Sequence, residues 1–222
     1  MKTITLVRHA AAVRFQHDKP DFERPLKTKG ELQSHQMARK IKSLELPPSL
    51  LVSSSANRAL DTAIIFANIL QIPEDQIIKT RGLYEALSPD DFLTELHQLD
   101  NSYQHVMLFG HNPGFSHFAA AMLSDFNANI PKCGAVCIKT KRRSWRTLAL
   151  GDGELAFFEK PENLAQNILT TKDLRKRMQP EIESSLKAVL SEFAVPATKE
   201  VISEVKKSSK KLAKYFAAVS KI

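Results

Sequence analysis

Strand-like and helix-like segments alternate through the first 160 residues, and no other feature restricts the possible folds as strongly. Short apolar runs at residues 4–7, 50–52 and 105–109 are typical of buried strands. Between them, apolar residues recur every three or four positions, as they do along one face of a helix. The pattern predicts helices over residues 30–44, 58–70, 92–99 and 115–123, and further strands over 77–78, 135–139 and 155–158. Such alternation favours an α/β fold, a three-layer sandwich with a mostly parallel central sheet.

Polar residues with catalytic potential follow three of the predicted strands. Arg8-His9 follows the first strand, residues 53–58 follow the second, and Gly110-His111 follows the strand over 105–109. In an open parallel sheet, ligands bind beyond the carboxyl ends of the strands. We therefore expect these three segments to meet around one site.

Four residues of these segments offer the groups that phosphoryl transfer requires. Imidazole is a good neutral nucleophile near pH 7, so His9 can attack phosphorus. The guanidinium of Arg8 can bind phosphate oxygens through paired hydrogen bonds, and Arg58 begins a predicted helix whose free N–H groups also favour an anion. His111 lies in the glycine-bounded turn 110–114 and becomes a further donor once a bound phosphate protonates it. Each signal alone is weak, whereas the set is specific.

Three segments of the chain resemble the signature segments of the histidine phosphatase superfamily, also called phosphoglycerate-mutase-like. They are residues 6–10 (Leu-Val-Arg-His-Ala), residues 54–63, in which Ser54 is followed by Arg58-Ala59 and Thr62, and residues 109–114 (Phe-Gly-His-Asn-Pro-Gly). Within the superfamily, Arg24-Pro25-Leu26, residues 131–136 and the ending 145–161 are similar to the compact SixA-type phosphohistidine phosphatases. The resemblance covers roughly residues 1–160. Ala10 and Ser55 stand where glycine and proline are commoner, and neither change removes a functional group.

The resemblance implies the fold and a covalent phosphohistidine mechanism, and it assigns roles to residues. His9 is the expected nucleophile, and Arg8, Arg58 and His111 form the expected phosphate pocket. Glu85 lies in the segment that often carries the proton donor. The alternative for this residue is a surface glutamate without a catalytic role, and a phosphohistidine substrate would need only a weak acid or water.

The predicted function is a phosphatase that acts on a phosphohistidine protein or a small phosphorylated compound and uses no cofactor and no metal. One alternative is a non-catalytic scaffold that binds a phosphoryl group and interacts through its C-terminal helices. Another is a sugar-phosphate mutase. The short segments between the predicted strands offer no obvious lid to keep water from a phosphoenzyme, and this favours hydrolysis.

Residues 161–222 differ from the predicted phosphatase domain, which covers residues 1–160. They carry 12 Lys+Arg against 7 Asp+Glu, and apolar residues recur at helical spacing over 174–193 and 201–219. The pattern predicts a basic extension of two amphipathic helices. Because such a pair cannot cover both apolar faces alone, we expect docking on the first domain, a homodimer or a protein partner. An acidic membrane surface is a less favoured alternative.

Composition and short motifs argue against several other classes of protein. No apolar run reaches the roughly 18 residues of a membrane span, and the N-terminus lacks the features of a signal peptide, so a cytoplasmic location is expected. Cys133 and Cys137 lack a second pair of zinc ligands, and we interpret them as reduced core thiols. The basic segment 139–146, with Trp145, is interpreted as a connection between strands rather than a nucleic-acid contact. No nucleic-acid partner is expected.

Overall fold

The computed structural model describes residues 1–15, 20–86, 88–161, 171–192 and 196–219. The chain divides into two compact units, Met1–Ala165 and Gln166–Ile222. The predicted domains, residues 1–160 and 161–222, stay predictions. No helix in the described part of the chain is both long and apolar enough to cross a membrane.

The first unit is built on one six-stranded sheet. Its strands are β1 (Lys2–Arg8), β2 (Leu50–Ser54), β3 (Ile77–Thr80), β4 (His105–Gly110), β5 (Ala135–Thr140) and β6 (Gly153–Glu159), in the spatial order β3-β2-β4-β1-β5-β6. The neighbours from β3 to β1 are parallel, whereas β5 is antiparallel to β1 and β6 is antiparallel to β5. The predicted α/β class with a mostly parallel sheet is confirmed.

Helices cover both faces of the sheet. In the first unit they are α1 (Thr28–Lys42), α2 (Asn57–Leu70), α3 (Gly82–Glu85), α4 (Pro89–His97) and α5 (Gly114–Met122). Alternate residues of each strand point to opposite faces, so β1 places Leu6 in one core and Val7 in the other. The core with Leu6 contains apolar residues of α4 and α5, and the core with Val7 contains those of α1 and α2. This burial on both faces explains why the central strands read as continuous apolar runs.

A local sequence signal explains the start of α4. The side chain of Ser88 accepts a hydrogen bond from the backbone of Asp91, and the Asp91 carboxylate accepts one from the backbone of Ser88. This capping box starts α4 where the serine and the following proline predict a helix. The short helix α3 was not predicted, because four residues are too few to show helical periodicity.

The basic segment 139–146 covers the last two residues of β5 and the start of its connection to β6. Trp145 is fully buried in this connection, and its indole N–H donates to the backbone oxygen of Tyr103 at 2.9 Å. Its ring is therefore unavailable to stack on a nucleic-acid base.

The second unit contains two long helices, α6 (Thr171–Glu192) and α7 (Lys199–Val219), which pack against each other. Both agree with the predicted pair. Pro180 lies inside α6, where it removes one backbone donor of the helix.

Candidate active site

The carboxyl ends of β1, β2 and β4 meet at one edge of the sheet. β4 lies between β1 and β2 and is parallel to both. The segments after these strands are short, because two residues separate β2 from α2 and three separate β4 from α5. The side chains of His9, Arg58 and His111 therefore leave the sheet at the same edge.

His9 follows β1 directly and is almost fully buried, with 8% of its surface exposed. Its backbone N–H donates to the Gly110 oxygen at 2.9 Å, which holds it against the end of β4. Its Nδ1 lies 2.8 Å from the Ala10 carbonyl oxygen. A carbonyl oxygen can only accept, so Nδ1 carries the proton and Nε2 keeps a free lone pair. This is the tautomer that a nucleophile requires.

His111 lies beside His9, with ring centroids 5.1 Å apart. Its Nε2 is 2.8 Å from the Ser54 hydroxyl at the end of β2, so the two strand ends are joined by a side-chain hydrogen bond. The ring of Tyr84 meets the His111 ring edge-on at 5.5 Å. These contacts fix the orientation of the second imidazole.

Both imidazoles are neutral at physiological pH. Burial lowers the pKa of His9 to about 3, and the positive charges of Arg58, Arg8 and Lys132 add to this effect. Burial also lowers the pKa of His111 to about 3, with further contributions from His9 and Arg58. An entering phosphate dianion opposes these causes and would raise both pKa values. Burial and the surrounding cations therefore favour neutral imidazoles, and the same cations favour an anionic ligand.

The two arginines are held by specific contacts at the edge of this site. Arg58, 5% exposed in the first turn of α2, donates from Nη1 to the Asp21 backbone oxygen at 2.8 Å and from Nη2 to its Oδ2 at 2.9 Å. Arg8 donates from Nη1 to the Ile130 oxygen at 2.7 Å. These contacts leave part of each guanidinium free.

Buried polar atoms without partners concentrate in this site. Six buried side-chain nitrogen or oxygen atoms lack a hydrogen-bond partner among the described residues, and three of them are Nε of Arg8, Nε of Arg58 and Nδ1 of His111. A buried donor without a partner costs on the order of 1–3 kcal/mol. An oxyanion is a group that can accept hydrogen bonds from all three.

Asp21 is a member of the site that the sequence interpretation missed. Besides Arg58, its carboxylate accepts hydrogen bonds from Arg24 Nε at 2.7 Å and from the Tyr84 hydroxyl at 3.3 Å. Burial acts to raise the pKa of Asp21, but its hydrogen bond with Arg24 and the charge of Arg58 outweigh this and lower the pKa. In the sequence, Asp21 lies three residues before Arg24-Pro25-Leu26, and this proximity is the signal that could have identified it.

Glu85 is apart from these contacts. It ends α3, is exposed, and its carboxylate forms no hydrogen bond or ion pair with any described residue. Its neighbour Tyr84 contacts the site instead, as consecutive helical side chains point about 100° apart. A proton-donor role for Glu85 stays a prediction.

The two cysteines of the chain, Cys133 and Cys137, are buried free thiols. Among the described residues, no group of three or more His, Cys, Asp or Glu could hold a metal ion.

The neutral buried histidines predict a pH dependence of stability. Burial lowers the pKa of His105 to about 4, in addition to the low values of His9 and His111. The unfolded chain protonates these imidazoles below about pH 6.5, whereas the folded protein keeps them neutral until pH about 3 to 4. The unfolded state thus binds more protons in this window, and stability is lost as the pH falls through it. We expect the free energy of unfolding to fall by about 2–4 kcal/mol from pH 7 to pH 5.5.

Urea unfolding followed by Trp145 fluorescence measures this effect, because Trp145 is the single tryptophan and lies in the first unit. A His111→Gln variant should show a smaller loss on acidification, and His35→Gln, on α1, should match the wild type. Burial raises the pKa of Asp61, which opposes the trend. Equal stability at both pH values would contradict neutral buried imidazoles.

The fold defined by this sheet and its helices is that of the histidine phosphatases. The SixA protein of Agrobacterium tumefaciens has a TM-score of 0.61 and 22% sequence identity, covering 72% of this chain and 98% of that chain. SixA of Nakamurella multipartitia has a TM-score of 0.62 and 20% identity over 72% of this chain and 96% of that one. A protein histidine phosphatase SixA complexed with tungstate gives 0.63 and 20%, over 73% and 99%. At these identities the likeness establishes the fold.

Residues 4–88 match the family model of the histidine phosphatase superfamily, branch 1. The resemblance noticed in the sequence is thereby confirmed, and the match supports phosphatase activity. His9, Arg58 and Glu85 lie inside the matched residues and His111 lies beyond them. An uncharacterized chloroplastic protein of Arabidopsis thaliana is 28% identical over 153 residues, which are 65% of this chain and 69% of that protein.

Proposed function

We propose that this protein hydrolyses phosphorylated substrates through a covalent phosphoryl intermediate on Nε2 of His9. The observation that carries the proposal is the set of unpartnered buried atoms on Arg8, Arg58 and His111, beside a histidine whose Nδ1 is committed to the Ala10 oxygen. The free donors and the Nε2 lone pair of His9 together support phosphoryl transfer at this edge of the sheet. The substrate is a phosphohistidine protein or a small phosphorylated compound.

In the first step, the Nε2 lone pair attacks phosphorus and the bond from phosphorus to the leaving group breaks. Nδ1–H continues to donate to the Ala10 oxygen, which stabilises the positive charge that develops on the imidazole. Arg8 and Arg58 donate to the equatorial oxygens of the transferring group. His111 takes up a proton as the dianion raises its pKa, and it becomes a further donor.

In the second step, water attacks phosphorus, the bond from phosphorus to Nε2 breaks, and inorganic phosphate leaves.

The source of the proton that the leaving group takes up in the first step depends on the substrate. An alkoxide needs an acid, for which Glu85 stays the candidate, whereas the imidazole of phosphohistidine leaves readily. The segments after β2 and β4, of two and three residues, are too short to form a lid that keeps water from a phosphoenzyme, which favours hydrolysis over a mutase reaction.

Stereochemistry at phosphorus tests the covalent route. Two successive in-line displacements give net retention of configuration, whereas direct attack by water gives inversion. We expect transfer from an isotopically chiral phosphate ester to an alcohol acceptor to proceed with retention. The rate of phosphate release from the same ester is measured in parallel. Inversion of configuration at phosphorus would contradict a phosphoenzyme on His9.

The cytoplasmic location and the role of α6 and α7 belong to the proposal as well. Apolar side chains of the second unit are partly exposed, with 48% of Val189, 38% of Ile202 and 37% of Leu212 accessible. A homodimer contact or a protein partner that covers these side chains is the proposed role of the two helices.

A further inference from the structure

A cavity of about 450 Å³ adjoins the phosphoryl pocket and shares Arg8 with it. Small-molecule sites have volumes of roughly 300–1,000 Å³. Of the described residues that line the cavity, Arg8 alone carries a permanent charge. The other polar ones are a serine, a histidine and three asparagines, Asn112, Asn127 and Asn129. The cavity therefore offers neutral hydrogen-bonding groups beside the guanidinium that the proposed mechanism assigns to the phosphoryl group.

One backbone oxygen connects the wall of this cavity to the phosphoryl pocket. The Ile130 carbonyl oxygen accepts a hydrogen bond from Nη1 of Arg8 at 2.7 Å and another from Nδ2 of Asn112 at 3.0 Å. The Asn112 amide and the Arg8 guanidinium are therefore neighbours, since both donate to the same acceptor. In the sequence, Asn112 directly follows His111.

Further hydrogen bonds hold the same wall in place. The Ser116 hydroxyl accepts from the Ile130 N–H at 2.9 Å and donates to Oδ1 of Asn129 at 3.3 Å. This Asn129 oxygen also accepts from Nδ2 of Asn112. Because a carbonyl oxygen can only accept, the contact of Asn112 with Ile130 settles which atom of its amide is the nitrogen. The orientations of both amides are thereby fixed.

Each of these two amides has one group left without a partner. Oδ1 of Asn112 is buried and accepts no hydrogen bond from a described residue, and Nδ2 of Asn129 donates none to one. A buried acceptor without a donor costs on the order of 1–3 kcal/mol. The first group can only accept and the second can only donate. A hydroxyl does both, whereas a carboxylate can only accept and an alkyl group does neither.

We infer that this cavity receives the uncharged, hydroxyl-bearing part of a small phosphate monoester, and that Asn112 determines this specificity. The inference rests on the proposed function, because Arg8 binds the phosphoryl end of the same molecule. A substrate hydroxyl donates to Oδ1 of Asn112, which supplies the donor that this oxygen needs, and it can accept from Nδ2 of Asn129. The substrate class is that of polyol and sugar phosphates.

A matched pair of ligands tests the cavity. Glycerol 3-phosphate and n-propyl phosphate have the same carbon chain and differ only in hydroxyl groups. Calorimetry on the full chain carrying His9→Gln measures their binding without turnover. We expect glycerol 3-phosphate to bind roughly threefold to tenfold more tightly, the net effect of one hydrogen bond. The added Asn112→Ala change should reduce this preference to less than about twofold and leave the affinity for n-propyl phosphate within that margin.

Asn129→Ala is the second variant, because Asn129 is exposed and its removal leaves Asn112 bonded to Ile130. It should also reduce the preference, since it removes the donor of the pair. Asn68→Ala is the matched control. Asn68 is exposed near the carboxyl end of α2, where its side chain donates to Glu74 at 3.0 Å, and its loss should leave both affinities as they were. Binding of inorganic phosphate by each variant reports whether the pocket is intact.

Three results would overturn the inference. Equal binding of the two ligands by His9→Gln would mean that the cavity does not recognise hydroxyls. A preference that survives Asn112→Ala or, if that variant does not fold, Asn129→Ala would assign the recognition to another residue. Weaker binding of a phosphohistidine peptide to Asn112→Ala, with the preference for glycerol 3-phosphate unchanged, would assign the cavity to a protein substrate.

These binding measurements do not depend on hydrolysis. Absent phosphate release by the wild type would contradict the proposed function, and it is therefore distinguishable from failure of the cavity to recognise hydroxyls.

Discussion

A His9→Gln variant is expected to release no phosphate above the uncatalysed background, a loss of at least roughly 10⁴-fold. The amide of glutamine can occupy the space of the imidazole but has no nucleophilic lone pair on nitrogen. The reaction then has to proceed by direct attack of water, although Arg8, Arg58 and His111 remain. Removal of the nucleophile in an enzyme of this type costs more than removal of any single donor.

The measurement is phosphate release from p-nitrophenyl phosphate and from a phosphohistidine protein. His35→Gln is the control, because His35 lies on α1 and contacts no residue of the site. Binding of inorganic phosphate to His9→Gln reports whether the pocket is intact. A variant that binds phosphate and keeps more than a few per cent of the activity would exclude His9 as the nucleophile.

The parts of this site that could be predicted are those at strand ends. Apolar runs in the sequence predict β1, β2 and β4, and parallel strands bring their carboxyl ends to one edge of the sheet. The end of a strand therefore fixes the position of Arg8, His9 and His111 to within one or two residues, and the start of α2 fixes that of Arg58. Their convergence follows from topology without any knowledge of side-chain contacts.

The parts that could not be predicted lie on connections. Asp21 lies at the site because the Arg58 side chain, 37 residues away in the sequence, donates to its backbone oxygen and to its carboxylate. No local periodicity encodes such contacts. Tyr84 and Glu85 show a second limit, since a helix of four residues gives no pattern from which the side facing the site can be read.

An Arg58→Ala variant is expected to lose activity by roughly 10²–10³-fold, the usual effect of removing one preorganised donor to a transition state. Arg58 is already oriented, because Asp21 accepts from both of its terminal nitrogens while its Nε remains without a partner. The enzyme need not reorganise this group as charge grows on the phosphoryl oxygens. Arg39→Ala, an exposed change in the last turn of α1, should keep full activity. Loss of less than about threefold would contradict a role for Arg58 in the pocket.

Arg58→Lys separates charge from geometry. A lysine keeps the positive charge but has a single nitrogen, which cannot satisfy the Asp21 backbone oxygen and carboxylate and also face the substrate. If charge alone mattered, the lysine variant would resemble the wild type. We expect its kcat to lie near that of the alanine variant, while its affinity for inorganic phosphate lies nearer to the wild type. The different effects on kcat and on phosphate affinity follow from the contacts of Arg58. Bound phosphate is stabilised by any nearby cation, whereas the transition state needs a donor held in one direction.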